Sequence, residues 1–365
     1  VDRQKNILIS PLEWGLGHAG RTLCLAEELR KQGNKIFFAA GKVHLEFLKK
    51  ESPDAEFLNF PGFKPRYSKV LPQYLAMLFQ TPVLLFHIIK DHLLLPRLIK
   101  SYSIDLVISD NRFGMWTGRV PCVYITHMLI IPLPPELKGL ESIGKMLHRW
   151  IITRYDYCLI PDLPGETNLS GRLSHGIKHP HNVRYAGLLS RFINSAPDNK
   201  YVAEAENPVL LILSGPEPQK SIFRDRVIRS ITGDRKKLII LEGRPDAGYE
   251  KRTEGLVSYI SLPSRAQMAG LIRWADLIIT RSGYTSIMEL VSLGRSAVLI
   301  PTPGQTEQEY LAEWLSDKGW FRTVRQNEIS EELFSGAEEL AVPEGLPDQS
   351  RVLLNAVLKE ILNGR

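Results

Sequence analysis

Residues 276–312 read Asp276-Leu-Ile-Ile-Thr-Arg-Ser-Gly-Tyr-Thr-Ser-Ile-Met-Glu-Leu-Val-Ser-Leu-Gly-Arg-Ser-Ala-Val-Leu-Ile-Pro-Thr-Pro-Gly-Gln-Thr-Glu-Gln-Glu-Tyr-Leu-Ala312. The apolar run Leu277 to Ile279 has the form of a buried parallel strand. Arg281-Ser282-Gly283 makes a tight turn, and Thr285 or Ser286 is placed to cap the helix that follows, with Glu289 further along it. Gly294 ends that helix. Ala297 to Ile300 is the next strand, and Pro301, Pro303 and Gly304 hold a loop open before a second helix near Thr306. Two helix N-termini then meet the carboxyl edge of one sheet, where unpaired N–H groups suit a phosphate. A carboxylate at Glu289 can accept both hydroxyls of a ribose. Amides at Gln305 and Gln308 suit the hydroxyls of a sugar. An ordinary polar rim is the plainer reading. The density of Arg, Ser, Gly, Thr, Glu, Pro and Gln in one strand–helix–strand unit favours a nucleotide with a sugar attached.

On these residues the stretch resembles the nucleotide-sugar signature of GT-B glycosyltransferases. It is most similar to the family of the peptidoglycan N-acetylglucosaminyltransferase. Arg281, Ser282, Gly283, Glu289 and Gln308 match that pattern, while the second of the family's paired glutamines is Glu309 here. The resemblance implies an α/β chain of GT-B form: two doubly wound Rossmann-like domains facing a cleft, residues 1–195 for the acceptor and 196–348 for the donor. A terminal helix over 349–365 would pack back on the first domain.

Outward from that stretch, the chain opens in the same idiom. The strand Ile7 to Ile9 leads into a loop over Ser10 to Gly20, then a helix from Arg21 to Gln32 and a strand from Lys35 to Ala40. Gly15, Gly17 and Gly20 form G-x-G-x-x-G, a weak dinucleotide fingerprint by itself. The acidic residue expected at the end of the second strand is missing, since Ala39, Ala40, Gly41 and Lys42 stand there. That disfavours NAD. A G-x-G-H loop, here Gly15 to His18, is similar to the acceptor-domain loop of GT-B enzymes. The resemblance implies that Gly17 approaches the donor phosphates and that His18 faces the reacting hydroxyl. An imidazole titrating near neutrality suits a general base. A histidine that only bonds a phosphate or caps a helix reads equally well. Asp110 ends the strand Ile104 to Asp110. It can orient His18, act as base itself, or cap a helix over Phe113 to Arg119. His127 falls at the end of the next strand.

In the second half, Val209 to Leu213 leads to Ser214 and Gly215, where the resemblance places diphosphate contacts. The loop at Leu262 is where relatives hold the base by backbone. The chain contains no Asp-x-Asp motif, so metal-independent, inverting transfer from a nucleotide diphosphate sugar, UDP-linked by resemblance, is expected, with no cofactor. His175, His179 and His181 lack a carboxylate or cysteine at ligand spacing and read as loop surface. A nucleotide-sugar 2-epimerase of the same architecture and a noncatalytic nucleotide-sugar or lipid binder are the alternatives.

Residues 61–101 stand apart. A basic, aromatic segment (Phe63, Lys64, Arg66, Tyr67, Lys69) precedes two apolar helices, the first stopped near Pro82, with no run long enough to span a bilayer. Core helices give such a pattern most often. An interfacial surface admitting a lipid-linked acceptor is the functional reading. Charge agrees with it, since residues 1–195 carry 25 Lys and Arg against 16 Asp and Glu. Such an excess suits an anionic partner, and the resemblance points to a membrane surface and away from nucleic acid. The 3 cysteines, Cys24, Cys122 and Cys158, show neither disulfide nor metal spacing. With a start, Val1 to Asn6, that does not read as a signal peptide, they favour a reducing cytoplasm, at the inner face of the cell membrane if the lipid reading holds.

Overall fold

The computed structural model describes residues 3–65, 73–193, 208–231, 237–244, 247–334 and 340–364. Arg66, Tyr67 and Lys69, and most of the expected linker after Arg191, lie outside the described residues. The chain divides into two compact units. The first comprises the residues up to Pro65, Met77–Leu189 and those from Gly345 onward, and the second is built on Ser190–Glu344.

In the first unit the elements run β1 (Asn6–Pro11), α1 (Leu16–Lys31), β2 (Lys35–Ala40), α2 (Lys42–Glu51), β3 (Glu56–Asn59), α3 (Gln73–Tyr102), β4 (Leu106–Asp110), β5 (Cys122–Ile125), α4 (Glu141–Ile152), β6 (Tyr157–Ile160) and β7 (Val183–Tyr185). The sheet is seven-stranded in the order β3-β2-β1-β4-β5-β6-β7. Every pairing in it is parallel. Both faces of such a sheet are covered, which is why β4 and β5 are buried along their whole length rather than alternating.

The second unit repeats the plan with β8 (Val209–Ile212), α5 (Gln219–Ser230), β9 (Leu238–Leu241), β10 (Lys251–Glu254), β11 (Val257–Ile260), α6 (Arg265–Trp274), β12 (Leu277–Thr280), α7 (Tyr284–Ser292), β13 (Val298–Leu299), α8 (Thr306–Asp317) and β14 (Arg322–Thr323). Its sheet order is β10-β11-β9-β8-β12-β13-β14, parallel throughout except for β10 against β11. The final helix, α9 (Leu346–Asn363), belongs to the first unit. There Leu188 N–H donates to Ser350 Oγ at 2.8 Å, and Arg184 pairs with Glu360 at 2.9 Å. Gly187 allows that approach. Its φ is +70°, and a Cβ there would stand 2.4 Å from Ser350 Cα.

Among the parallel strands of each sheet the order reverses once, between β1 and β4 in the first and between β8 and β12 in the second. Crevices at the carboxyl ends of strands open at such switch points, and ligands bind there. The ends of β1, β4, β8 and β12, with the loops and helices that follow them, carry most of the site residues expected from sequence.

Several sequence expectations are corrected. Helix α1 begins at Leu16, not Arg21, because Gly15 (φ +106°) supplies the only break and Gly17 and Gly20 run on as helix. Packing on the sheet overrides the poor helix propensity of glycine. The two helices expected to part at Pro82 are one, α3, with Pro82 and Pro96 inside it. A proline removes one helical N–H and strands the carbonyl four residues earlier. For Pro82 that is Leu78, whose residue is 62% exposed, so water can take the carbonyl. The stretch Leu75–Tyr102 is long and apolar enough to cross a membrane by length and composition, although Lys90, Asp91, Arg97 and Lys100 interrupt it. No helix forms over Phe113 to Arg119; Asn111 turns the chain at φ +54° instead.

Candidate functional site

The first cluster lies where β1 and β4 part. Pro11 and Asp110 are register partners at the end of these strands, and Leu12 N–H donates to the Asp110 carbonyl at 2.9 Å. Helix α1 starts four residues later. His18 is in its first turn and Arg21 follows one turn on, the spacing that puts two side chains on one face. Asp110, fully buried, receives both. Arg21 Nε donates to Asp110 Oδ2 at 2.6 Å, and a second guanidinium nitrogen bonds Oδ1. His18 Nδ1 is 3.1 Å from the same Oδ1. Arg21 also reaches His127 Nδ1 at 3.5 Å.

The charges in this cluster settle its protonation. Burial pushes the Asp110 carboxyl up, but the Arg21 charge, then His18 and their hydrogen bonds, outweigh it and bring it down to about 2. Burial lowers His18, and of its charged neighbours Asp110 raises it while Arg21 lowers it further; the net is below its ordinary value. At neutral pH the arrangement is an ionised aspartate beside a neutral imidazole. His18 Nδ1 lies 3.1 Å from Asp110 Oδ1 and 3.0 Å from a guanidinium nitrogen of Arg21, so Nε2 is the ring nitrogen left to meet a ligand. With its side chain 16% exposed, His18 is the member of the cluster that can meet a ligand. Asp110 is enclosed and bound by Arg21, whereas the His18 ring is partly open to solvent.

The second cluster lies in the other unit, where β8 and β12 part. Ile212 and Thr280 are register partners there. Ser214 and Gly215, the latter at φ +83°, follow β8. After β12, Arg281 turns inward. It is 1% exposed, donates to the carbonyls of Ile300, Pro301 and Gln219 at 3.0–3.2 Å, and lies over the Phe223 ring at 4.2 Å. A guanidinium so committed ties the ends of β12, β13 and α5 together; it does not present itself to a diphosphate. Ser282, also buried, donates from Oγ to the Gln308 carbonyl at 2.8 Å. Thr285 and Ser286 do not cap α7. Its N-cap is Gly283, which has no side chain to bond the first turn, and Thr285 and Ser286 lie in that turn. No side chain caps the first turn of α7, a helix start whose dipole suits an anion.

The two helix ends are not equivalent. Helix α7 has no acidic residue in its first turn, whereas α8 has Glu307 and Glu309. Those carboxylates already occupy the positive end of the α8 dipole. Glu309 accepts from Gly304 N–H at 2.8 Å, and Gln308 Oε1 accepts from Thr302 N–H at 2.9 Å. The two side chains shape the Pro301–Gln305 loop, and the amide NH2 is the end of Gln308 that can turn to a ligand. Gln305 is the N-cap residue of α8, though its side chain makes no cap bond. Leu262 is partly exposed between Ser261, whose Oγ accepts from Glu250 N–H at 2.7 Å, and the α6 capping box of Ser264 and Gln267.

Sequence reasoning missed Arg191. Its Nε donates to Glu289 Oε1 at 2.8 Å, with the two side chains 12% and 10% exposed. Nothing local marks it, because it reads as the start of a linker. Arg21 was missed as a partner of Asp110, although its one-turn spacing from His18 was a usable signal. His175 and His179 are tied into their loop, to Leu163 O at 3.0 Å and Ser174 O at 2.7 Å. Among the described residues no three His, Cys, Asp or Glu side chains group as metal ligands.

Known proteins resemble this chain in sequence and in fold. Residues 227–347 match the glycosyltransferase family 28 C-terminal domain, a span that contains the whole of 276–312. A UDP-N-acetylglucosamine–N-acetylmuramyl-(pentapeptide) pyrophosphoryl-undecaprenol N-acetylglucosamine transferase of Halorhodospira halophila is 28% identical over 197 residues, about half (52%) of each chain. An uncharacterized glycosyltransferase of Methanosarcina acetivorans is 25% identical over 96% of this chain and 91% of its own. Among solved structures, the calicheamicin glycosyltransferase CalG4 superposes with a TM-score of 0.60 at 16% identity, covering 98% of this chain and 95% of its own. Acinetobacter baumannii MurG does so with a TM-score of 0.54 at 15% identity, covering 99% and 100%. The structural likeness establishes the GT-B fold. The sequence likeness bears out the resemblance to the peptidoglycan N-acetylglucosaminyltransferase family.

Proposed function

We propose that this chain, a glycosyltransferase of the GT-B fold, moves a sugar from a UDP-linked donor to an acceptor hydroxyl, without a metal and with inversion at the anomeric carbon. The observation that carries the donor half is the N-terminus of α7, which no side chain caps and no acidic residue occupies, with Glu289 further along the same helix. In this reading the diphosphate lies against the N–H groups that follow Gly283, with Ser214 and Gly215 beside it. Glu289, held by Arg191, accepts the ribose hydroxyls. The backbone at Leu262 receives the base, and Gln305 and Gln308 meet the sugar. Gly17, in the first turn of α1, approaches the donor phosphates. His18 takes the acceptor proton through Nε2, and Asp110 and Arg21 are positioning residues that hold its ring. The helix dipole stabilises the departing diphosphate.

A thermal-shift panel of nucleotides and nucleotide sugars tests the donor assignment, with UDP and UDP-sugars expected to raise the melting temperature most. If none of them does, the donor assignment is wrong. Glu289→Ala should raise the donor KM about 10- to 100-fold with little change in kcat, the loss of hydrogen bonds to a charged acceptor. An unchanged KM would remove Glu289 from the site.

The acceptor, in this reading, is lipid-linked and met at a membrane surface. Helix α3 exposes Leu78, Phe79, Val83, Phe86, Ile89 and Leu93 at 51–73%. Helix α4 exposes Ile143, Met146, Leu147 and Trp150 at 52–64%. The two are linked through His92, tilted against Trp116 with ring centres 4.1 Å apart, and Arg154 lying over Trp116 and Trp150. An apolar surface of this kind, accompanied by basic side chains, docks on an anionic bilayer interface. Phe79→Asp with Phe86→Asp should lower binding to vesicles containing anionic phospholipid at least tenfold while leaving the melting temperature unchanged. Equal sedimentation of variant and parent would argue against this surface.

A further inference from the structure

Beside the His18 turn, four buried polar atoms have no hydrogen-bond partner among the described residues: Glu13 Oε2, Trp14 Nε1, His44 Nδ1 and His87 Nδ1. They come from the loop after β1, from α2 and from α3, yet they gather around Glu13 and Phe63. Glu13 is 4% exposed, and its Oε1 accepts from Gly41 N–H at 2.8 Å and Gly62 N–H at 2.7 Å, which leaves Oε2 with only Lys64 Nζ at 3.7 Å. His44, also 4% exposed, has Nε2 at 2.9 Å from the Gly15 carbonyl, so Nε2 carries the proton and Nδ1 is an acceptor. The Phe63 ring lies 6.3 Å from Trp14 and 6.0 Å from His87.

Buried polar groups are nearly always paired, and each orphan costs desolvation free energy. Orphans drawn from separate elements and crowded at one place mark where a polar ligand completes the structure. The chemistry of the set narrows the ligand. A carboxylate oxygen and an imidazole nitrogen accept, an indole N–H donates, and His87 Nδ1 does either according to tautomer. Each hydroxyl of a polyol both donates and accepts, so such a ring answers all of them. Trp14, partly exposed and backed by the buried Phe63 ring, offers an apolar surface for its C–H groups. Glu13 and Trp14 immediately precede the turn that carries His18, so a ring held here stands next to the proposed base.

We propose that Glu13, Trp14, His44 and His87 form the acceptor subsite, and that the acceptor presents a polyhydroxylated ring, a pyranose or cyclitol, to it. This rests on the transferase reading above. The test uses the full chain, 15N-labelled at its indoles, titrated with methyl glucoside, methyl galactoside and myo-inositol while the Trp14 Nε1–H resonance is followed by NMR. At least one of these rings should shift that resonance at millimolar concentration. Glu13→Gln keeps Oε1 for Gly41 and Gly62 but replaces the Oε2 acceptor by a donor. It should weaken the ring's affinity about tenfold, and Trp14→Phe, which keeps a ring but loses the N–H, should weaken it similarly; for the latter affinity is read by calorimetry. Both variants should leave the UDP-induced thermal shift intact. If no ring moves the Trp14 signal while UDP still stabilises the chain, or if both variants bind the ring as the parent does, the orphans are met by water alone and the subsite is refuted. A loss of the UDP response in the parent would instead overturn the donor assignment.

Discussion

Asp110→Asn is expected to lower the stability of the first unit by about 3–5 kcal/mol, the cost of leaving one partner of a buried ion pair uncompensated. Arg21 is 1% exposed and its guanidinium makes two bonds to that carboxylate, so the variant buries a cation against a neutral amide. Calorimetry of the intact chain should show the first unit melting roughly 10 °C lower. The same pair makes stability acid-sensitive. The carboxyl of Asp110 lies lower in the folded chain, at about 2, than its ordinary 3.8. Its contribution is therefore complete above the unfolded value and disappears as the pH falls from about 4 towards 2, an amount on the order of 2 kcal/mol. Asp110→Asn should flatten that part of the stability–pH curve. A variant that melts with the parent and keeps its acid sensitivity would show that the pair does not hold this end of the sheet.

The second large effect is on turnover. His18→Gln should reduce kcat about 100- to 10,000-fold, the usual worth of a positioned general base, while donor affinity stays within a few-fold. Since His18 lies below its ordinary value of 6.5 in the folded chain, its neutral form persists into mildly acid solution. The acid limb of the kcat/KM profile should then fall below pH 6.5 and vanish in the variant. Comparable losses in donor binding and turnover would point to a phosphate contact instead of a base.

Much of the fold was legible because parallel strands buried on both faces announce themselves as short apolar runs. Leu277 to Ile279 and Val209 to Leu213 needed nothing beyond that and the small-residue turn that follows each. Strand β10 was illegible for the converse reason. Lys251, Arg252, Thr253 and Glu254 are all exposed, so the edge strand bears no apolar mark. The site divided similarly. His18, Ser282, Gly283 and Glu289 could be picked out because each follows or occupies a turn-and-helix pattern. What each side chain touches could not. Arg21 and Asp110 are 89 residues apart, and Arg191 and Glu289 are 98 apart. Arg281 matched a signature by position, yet its guanidinium faces carbonyls inside the unit, which only the arrangement of two strand ends and the start of α5 reveals.

The bond from Leu188 N–H to Ser350 Oγ and the pair of Arg184 with Glu360 join positions separated by the entire second unit. During synthesis, β1 to β7 leave the ribosome long before α9 exists, and the second unit emerges in between. The first unit must then wait, with its β7 flank uncovered, until the last helix is made. Its folding ends after that of the unit encoded later, and a messenger truncated anywhere between the two would yield a first unit that cannot close.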